Sequence, residues 1–268
     1  MRWIVGDIHG MARPLDALVA AVRARDAAAR FYFVGDFVNR GPDSRSVLEM
    51  LIAMQRDGHA HFVRGNHDDI LDQVINGLSY TGKVGEIDRL AAFQWFMQHG
   101  LDTTFISYGV DLAELHHLER RITPMGLERL IAAVPEEHRQ FLRNLPPVIE
   151  EPGLFIVHAK WNPDDGSEPR DFAHRLAAHA PARHELLWGR FSDTDIARPK
   201  RWNRTGYFGH TPVAVYGKAG KRGEHVPVLG PQIVLLDTGA ALSAAGRLTA
   251  YCAETGSYVQ ADRAGTIT

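Results

Sequence analysis

The chain has 268 residues, 45% hydrophobic and 23% charged, with a formal net charge of −2. This is the balance of a globular protein, and it argues against nucleic-acid binding by bulk positive charge, so no sequence-specific nucleic-acid partner is expected. The single cysteine, Cys252, excludes a disulfide framework. With an N-terminal stretch too short in apolar residues for a signal peptide, it leads us to expect a cytoplasmic setting. No apolar run approaches the roughly 18 residues of a membrane span, and no membrane partner is expected.

A first strand is predicted over 2–5, ending in Gly6-Asp7-Ile8-His9-Gly10. An Asp and a His two apart, between glycines that permit a tight turn, can point at one centre. Leu15, Leu18, Val19 and Val22 recur at helical spacing over 14–29, with Pro14 suited to the first turn. A second strand over 31–34 runs into Gly35-Asp36-Phe37-Val38-Asn39-Arg40-Gly41-Pro42. Asp43 and Ser44 then open a helix over 44–55 with Val47, Leu48, Leu51 and Ile52 inward. A third strand over 60–63 leads into Arg64-Gly65-Asn66-His67-Asp68 and a helix carrying Ile70, Leu71, Val74 and Ile75. Three such strand–loop–helix units are the alternation of an α/β fold, with its site at the carboxyl ends of parallel strands.

Residues 77–147 read as helical over 87–98 and 125–144, the second broken at Pro135, with 101–118 ambiguous. They hold few clustered ligand types and are expected to form a helical insertion over the site. Pro146-Pro147 ends it. Strands resume at 148–149 and 154–157, the latter entering His158-Ala159-Lys160-Trp161. A loop rich in Asp, Pro and Gly over 162–170 follows, then Leu186-Leu187-Trp188-Gly189-Arg190 and a basic loop from Arg198 to Arg204. Tyr207-Phe208 is a short strand before Gly209-His210-Thr211-Pro212. A strand over 233–236 ends in Asp237-Thr238-Gly239, and 248–253 with 257–261 suggest a closing hairpin. With no repeat or linker, one domain over 1–268 is expected.

Asp7, His9, Asp36, Asn66, His67, His158 and His210 thus leave five strand ends. A buried carboxylate is costly unless it is paired or bound to metal. Imidazole with carboxylate, and no clustered cysteine, suits manganese, iron or zinc better than a thiolate site does. Two metals sharing a carboxylate would lie about 3.5–4 Å apart and stabilise both oxygens of an in-line displacement. Arg40 can fork two donors onto a phosphoryl group. A His beside the metals can protonate the leaving oxygen.

Taken in order, Gly6-Asp7-Ile8-His9-Gly10, Gly35-Asp36-Phe37-Val38-Asn39-Arg40-Gly41, Gly65-Asn66-His67-Asp68, Val157-His158-Ala159 and Gly209-His210-Thr211-Pro212 resemble the calcineurin-like metallophosphoesterases. The closer resemblance is to the bacterial serine/threonine protein phosphatase type, itself similar to the symmetrical diadenosine tetraphosphatases. It runs from Met1 to about Ala261. It implies a four-layer α/β/β/α sandwich and two divalent metal ions, manganese first, with iron or zinc as alternatives. By the same resemblance Asp7, His9 and Asp36 hold one metal. Asp36 bridges to a second, held also by Asn66, His158 and His210. The implied catalytic set is His67 as general acid, with Asp36 and Arg40. The substrate contacts are Arg40, Asn66 and Arg190, the last at the place of a second phosphate arginine in bacterial members.

Two departures stand out. Asn39 replaces the family's usual Asp, so the amide orients His67 without supplying a negative charge, and weaker activity is expected. Lys160 replaces the usual Gly, where a long cation can bind a second phosphate or crowd the pocket. Other residues read as structural: His59, His61, His116 and His117 as surface or packing histidines, and Asp68 as support for a helix N-terminus. Asp237-Thr238-Gly239 resembles an aspartic-protease signature, but with a single copy it reads as a strand end. The basic loop is a solvated loop, or else a nucleotide funnel in which Trp202 stacks on a base. The expected reaction is hydrolysis of phosphomonoesters, phosphoserine and phosphothreonine in proteins first, by direct attack of metal-bound hydroxide. The alternatives are a dinucleoside polyphosphate hydrolase and a catalytically impaired fold that binds a phosphorylated partner. The sequence leaves the oligomeric state open.

Overall fold

Side chains alternate across a strand, so each strand sorts its residues between two faces. In the computed structural model, which describes residues 1–79, 82–161, 180–217 and 223–268, this alternation separates the layers. Strands β1 (Arg2–Val5), β2 (Arg30–Phe33) and β3 (Ala60–Phe62) run parallel. Trp3, Val5, Phe31, Phe33 and Phe62 pack with the helices α1 (Ala12–Arg25), α2 (Ser44–Arg56) and α3 (Asn66–Asn76). Ile4, Tyr32 and Val34 belong to a separate cluster on the other face.

Helix α1 stops at Arg25, four residues before the predicted end. Asp26 is the cause. Its Oδ2 accepts from the N-terminal ammonium at 2.8 Å and from Trp3 Nε1 at 3.2 Å, and its Oδ1 accepts from the Ala28 N–H. An Asp that takes a backbone N–H two residues on bends the chain into a turn.

The insertion begins with the small pair β4 (Leu78–Ser79) and β5 (Gly82–Lys83). It continues as α4 (Glu86–Met97), α5 (Leu101–Ser107), α6 (Leu112–Arg120), α7 (Pro124–Ala133) and α8 (Glu136–Arg143). The ambiguous stretch 101–118 is therefore two helices, separated at Gly109 (φ 86°) and restarted by Asp111, whose carboxylate caps the N–H groups of Ala113 and Glu114. Phe93, Phe96, Phe105, Leu127 and Phe141 join the cluster that holds Phe33 and Phe62. The buried Arg64 guanidinium fastens α8 to α3: it pairs with Asp69 (2.9 Å) and Asp72 (2.8 Å) and donates to the carbonyls of Leu142, Arg143 and Leu145.

The second sheet contains β6 (Val148–Glu151), β7 (Leu154–Val157), β8 (Thr205–Phe208), β9 (Val228–Leu229) and β10 (Ile233–Leu235), in the order β6-β7-β8-β10-β9. Its central strands β7, β8 and β10 are parallel. Leu154, Ile156, Tyr207, Val234 and Leu236 meet Ile4, Tyr32 and Val34 between the sheets. Phe155, Val157, Phe208, Ile233 and Leu235 face outward onto Leu186 of α9 (Ala180–Trp188) and Ile196 of α10 (Asp193–Ala197). The hairpin β11 (Leu248–Cys252) and β12 (Tyr258–Ala261) completes the first sheet, in the order β12-β11-β1-β2-β3. The layers are thus helix, sheet, sheet, helix, as expected. Strands covered on both faces need apolar residues throughout, which accounts for runs such as Leu154-Phe155-Ile156-Val157. Among the described residues no helix is long and apolar enough to cross a membrane.

Candidate metal centre

The carboxyl ends of β1, β2 and β3 from one sheet and of β7 and β8 from the other lead into the loops of the candidate site. There the structure brings Asp7, His9, Asp36, Asn66, His67, His158 and His210 together, every one of them buried. Close approach of the loops depends on glycine. A Cβ on Gly65 would overlap Asp36 Oδ1 and its backbone nitrogen, and one on Gly209 would overlap Asp7 Oδ1. His9, Asp36, Asn39, Arg40 and His210 adopt positive φ, between 48° and 71°, and among the described residues they are the only non-glycines that do. Such backbone costs of order 1–3 kcal/mol per residue, and it concentrates where side-chain direction matters.

Helix α3 begins at Asn66 rather than after Asp68, so Asn66 and His67 lie in its first turn. The free N–H of His67 there donates to Asp36 Oδ1 at 2.9 Å. Asp68 does more than support the helix. It accepts from Gly65 N, Asp36 N and Phe37 N at 2.8–2.9 Å, so one carboxylate joins the loops after β2 and β3.

Ligand-type atoms of His9, Asp36 and His67 lie within 4.8 Å of one another, and so do those of Asp36, His158 and His210. Asp36 belongs to both groups, the position expected of a bridging carboxylate. Asp7 stands beside them, with Oδ2 accepting from the His210 N–H at 2.9 Å and Oδ1 buried without a hydrogen-bond partner. Asn66 Oδ1 faces His158 Nε2 and His210 Nδ1, both at 2.9 Å. The Nδ1–H of His158 is directed at the Val34 carbonyl, 2.8 Å away, which turns Nε2 toward Asn66 Oδ1 and Asp36 Oδ1. His9 is fixed in the same way, with Nδ1 3.1 Å from the Val38 carbonyl. These donors, with the orphaned Asp7 Oδ1, fit divalent metal ions with nitrogen and oxygen ligands.

The electrostatics agree. Burial opposes charge on Asp36, but His158, His67 and His9 hold its carboxyl well below the usual range. Burial likewise opposes charge on His158, yet Asp36 and Asp7 raise it to about 9. Burial, then the neighbouring Asp237, pushes Asp7 well up. Burial lowers His9 to about 4 with help from Arg40, lowers His210 to about 3 with help from His158, and takes His67 well below its ordinary value. A crowd of buried carboxylates and mostly neutral imidazoles is a cation-seeking environment.

Arg40 Nη1 lies 2.7 Å from His9 Nε2, so the guanidinium is at the cluster, and that lone pair can serve a metal only when Arg40 withdraws. Arg190 donates to Thr211 Oγ1 at 3.3 Å, beside His210. The Lys160 ammonium lies 4.0 Å from Asp195 and 5.9 Å from the centre of the Phe191 ring. The nucleotide funnel is corrected. Trp202 packs edge-on against Phe155 at 4.9 Å, and Arg204 pairs with Glu150 at 2.8 Å. The basic loop enters β8 at Thr205, whereas His210 follows the other end of that strand. The loop predicted over 162–170 lies outside the described residues. His116 and His117 are exposed, and His61 stacks on Tyr32 at 4.8 Å, as surface and packing histidines.

Sequence reading missed Thr104, which accepts the Asn39 N–H at 2.9 Å and donates to Asn39 Oδ1 at 2.7 Å. It sits 65 residues from Asn39, in a stretch without a ligand pattern, so no local signal marks it.

The model of the calcineurin-like phosphoesterases matches residues 2–213. A symmetrical bis(5'-nucleosyl)-tetraphosphatase of Ralstonia nicotianae is 42% identical over 86 residues, 32% of this chain and 29% of that protein's length. One from Pseudomonas fluorescens is 41% identical over 173 residues, 60% of this chain and 56% of the relative. A crystal structure assigned provisionally as a diadenosine tetraphosphatase superposes with a TM-score of 0.53 at 22% identity, covering 97% of this chain and 91% of the other. That likeness speaks to the fold alone. Matched over most of its length, the chain belongs to the calcineurin-like phosphoesterases, a family of phosphoric ester hydrolases that use divalent metals.

Proposed function

We propose that the chain is a metal-dependent hydrolase of dinucleoside polyphosphates. The observation that carries the hydrolase reading is the convergence of seven buried ligand-type residues from five strand ends, with Asp36 common to two groups. When bound, divalent metals stabilise phosphoryl charge and lower the pKa of a water nucleophile. Asp7, His9 and Asp36 would hold one ion, and Asp36, Asn66, His158 and His210 the other. Arg40, and Arg190 beside His210, supply charged donors to phosphate oxygens. His67 presents a ring proton to the leaving oxygen. The substrate class rests on the relatives named as bis(5'-nucleosyl)-tetraphosphatases.

Phosphoserine and phosphothreonine, the first expectation from sequence, have no observation that favours them over the dinucleotide. The impaired-binder alternative rested on Asn39 and Lys160. Lys160 lies 4.0 Å from Asp195 and Asn39 keeps an amide contact to His67, so neither residue disturbs the ligand groups around Asp36. The test compares kcat/KM for diadenosine tetraphosphate and for a phosphothreonine peptide, with manganese. A preference for the dinucleotide supports this reading, and a preference for the peptide overturns it.

A further inference from the structure

Above the cluster lies a set of rings that the reaction just described does not use. Trp95 on α4 is 49% exposed. A single exposed tryptophan needs no explanation. This one sits 5.6 Å from the half-buried Trp188, at the end of α9, with the two rings inclined at 31°. Trp188 is in turn 6.0 Å from the His210 ring. On the other side, Trp95 packs at 5.0 Å on Phe96, which lies 4.8 Å from His67. The rings form a continuous path from both halves of the cluster to the surface. Arg190 follows two residues after Trp188 and donates to Thr211 beside His210. Aromatic faces next to cations that meet phosphate are the combination that holds a nucleotide.

Resting on the dinucleotide reading above, we propose that Trp95 and Trp188 form a stacking shelf for one purine base of the substrate. The phosphate chain would run from the shelf toward Arg190 and the cluster. Phosphoserine and phosphothreonine bring no ring to fill the shelf, whereas a base does. The neighbouring His99, 5.3 Å from Trp95, extends the same surface.

The test is steady-state kinetics of Trp95→Ala and Trp95→Phe on diadenosine tetraphosphate, glycerol 2-phosphate and a phosphotyrosine peptide, with thermal melts to establish folding. Loss of one stacked base is worth a KM increase of about tenfold. Trp95→Ala should therefore raise KM for the dinucleotide about tenfold relative to glycerol 2-phosphate, with kcat nearly held, and Trp95→Phe should recover most of the loss. An unchanged dinucleotide KM in Trp95→Ala overturns the shelf and leaves the dinucleotide activity intact. Wild-type protein that cleaves glycerol 2-phosphate but not the dinucleotide overturns the functional reading and the base site together. A KM increase confined to the phosphotyrosine peptide assigns the shelf to a phenyl ring and overturns the purine.

Discussion

Asn39 Nδ2 lies 3.0 Å from His67 Nδ1. The amide is oriented from behind. Thr104 Oγ1 donates to Asn39 Oδ1, and the Asn39 N–H is shared between Thr104 and Ser44. The amide N–H therefore donates to His67, whose Nδ1 is an acceptor and whose Nε2 carries the proton. An aspartate at this position would reverse the arrangement by accepting from Nδ1–H.

The tautomer is directly observable. In a two-bond ¹H–¹⁵N spectrum, His67 should show a bare Nδ1 and a protonated Nε2. Asn39→Asp should protonate Nδ1 and raise kcat. A spectrum unchanged by Asn39→Asp would contradict the role given to the amide.

Thr104→Val preserves shape but leaves Asn39 Oδ1 buried without its donor. An unsatisfied buried acceptor costs about 1–3 kcal/mol. A reduction in stability of that size is expected by denaturant titration, together with a mixed His67 tautomer spectrum. Full stability in Thr104→Val would show that the hydroxyl is not needed.

Arg64 is 2% exposed and is held by Asp69, Asp72 and three carbonyls. Breaking a buried pair from one side strands the other charges, at about 3–5 kcal/mol. Arg64→Met should lower the unfolding midpoint accordingly, and adding Asp69→Asn with Asp72→Asn should restore part of it. An additive loss in the triple variant would contradict a compensated charge cluster.

His138 on α8 accepts or donates at 2.7 Å to Tyr108 Oη, and burial lowers its pKa. The unfolded chain then binds the proton more tightly than the folded one. Stability contributed by neutral His138 is present above the ordinary histidine pKa and is lost as the pH falls through it toward the lower folded value. His138→Gln should flatten that part of the stability–pH curve. An identical acid slope in the variant would rule His138 out as its source.

Much of the fold and of the candidate site was legible in the sequence for a physical reason. Asp7, His9, Asp36, Asn66, His67, His158 and His210 each follow a strand, and all but His158 sit in or beside a glycine turn, so local pattern places them at strand ends, while the two-sheet sandwich came from the family resemblance. What escaped depends on tertiary proximity. Thr104 meets Asn39 across the insertion, and Trp95 meets Trp188 across more than 90 residues of chain. Helix α4 reads as an ordinary helix, with nothing to separate Trp95 from a core residue. Composition left the Arg198–Arg204 loop open between a solvated loop and a nucleotide funnel, and only the pairing of Arg204 with Glu150, at the end of β8 opposite His210, decides against the funnel.

The most direct test of the central claim is manganese binding and diadenosine tetraphosphate hydrolysis, measured in parallel on wild-type protein and Asp36→Asn. Asp36 is common to both ligand groups, so its carboxylate should matter to both ions. The wild type should bind two equivalents of manganese and hydrolyse the dinucleotide, with activity lost to a chelator. Asp36→Asn should stay folded, bind manganese weakly and show no turnover. Hydrolysis that survives Asp36→Asn or chelation would contradict a site built on this cluster.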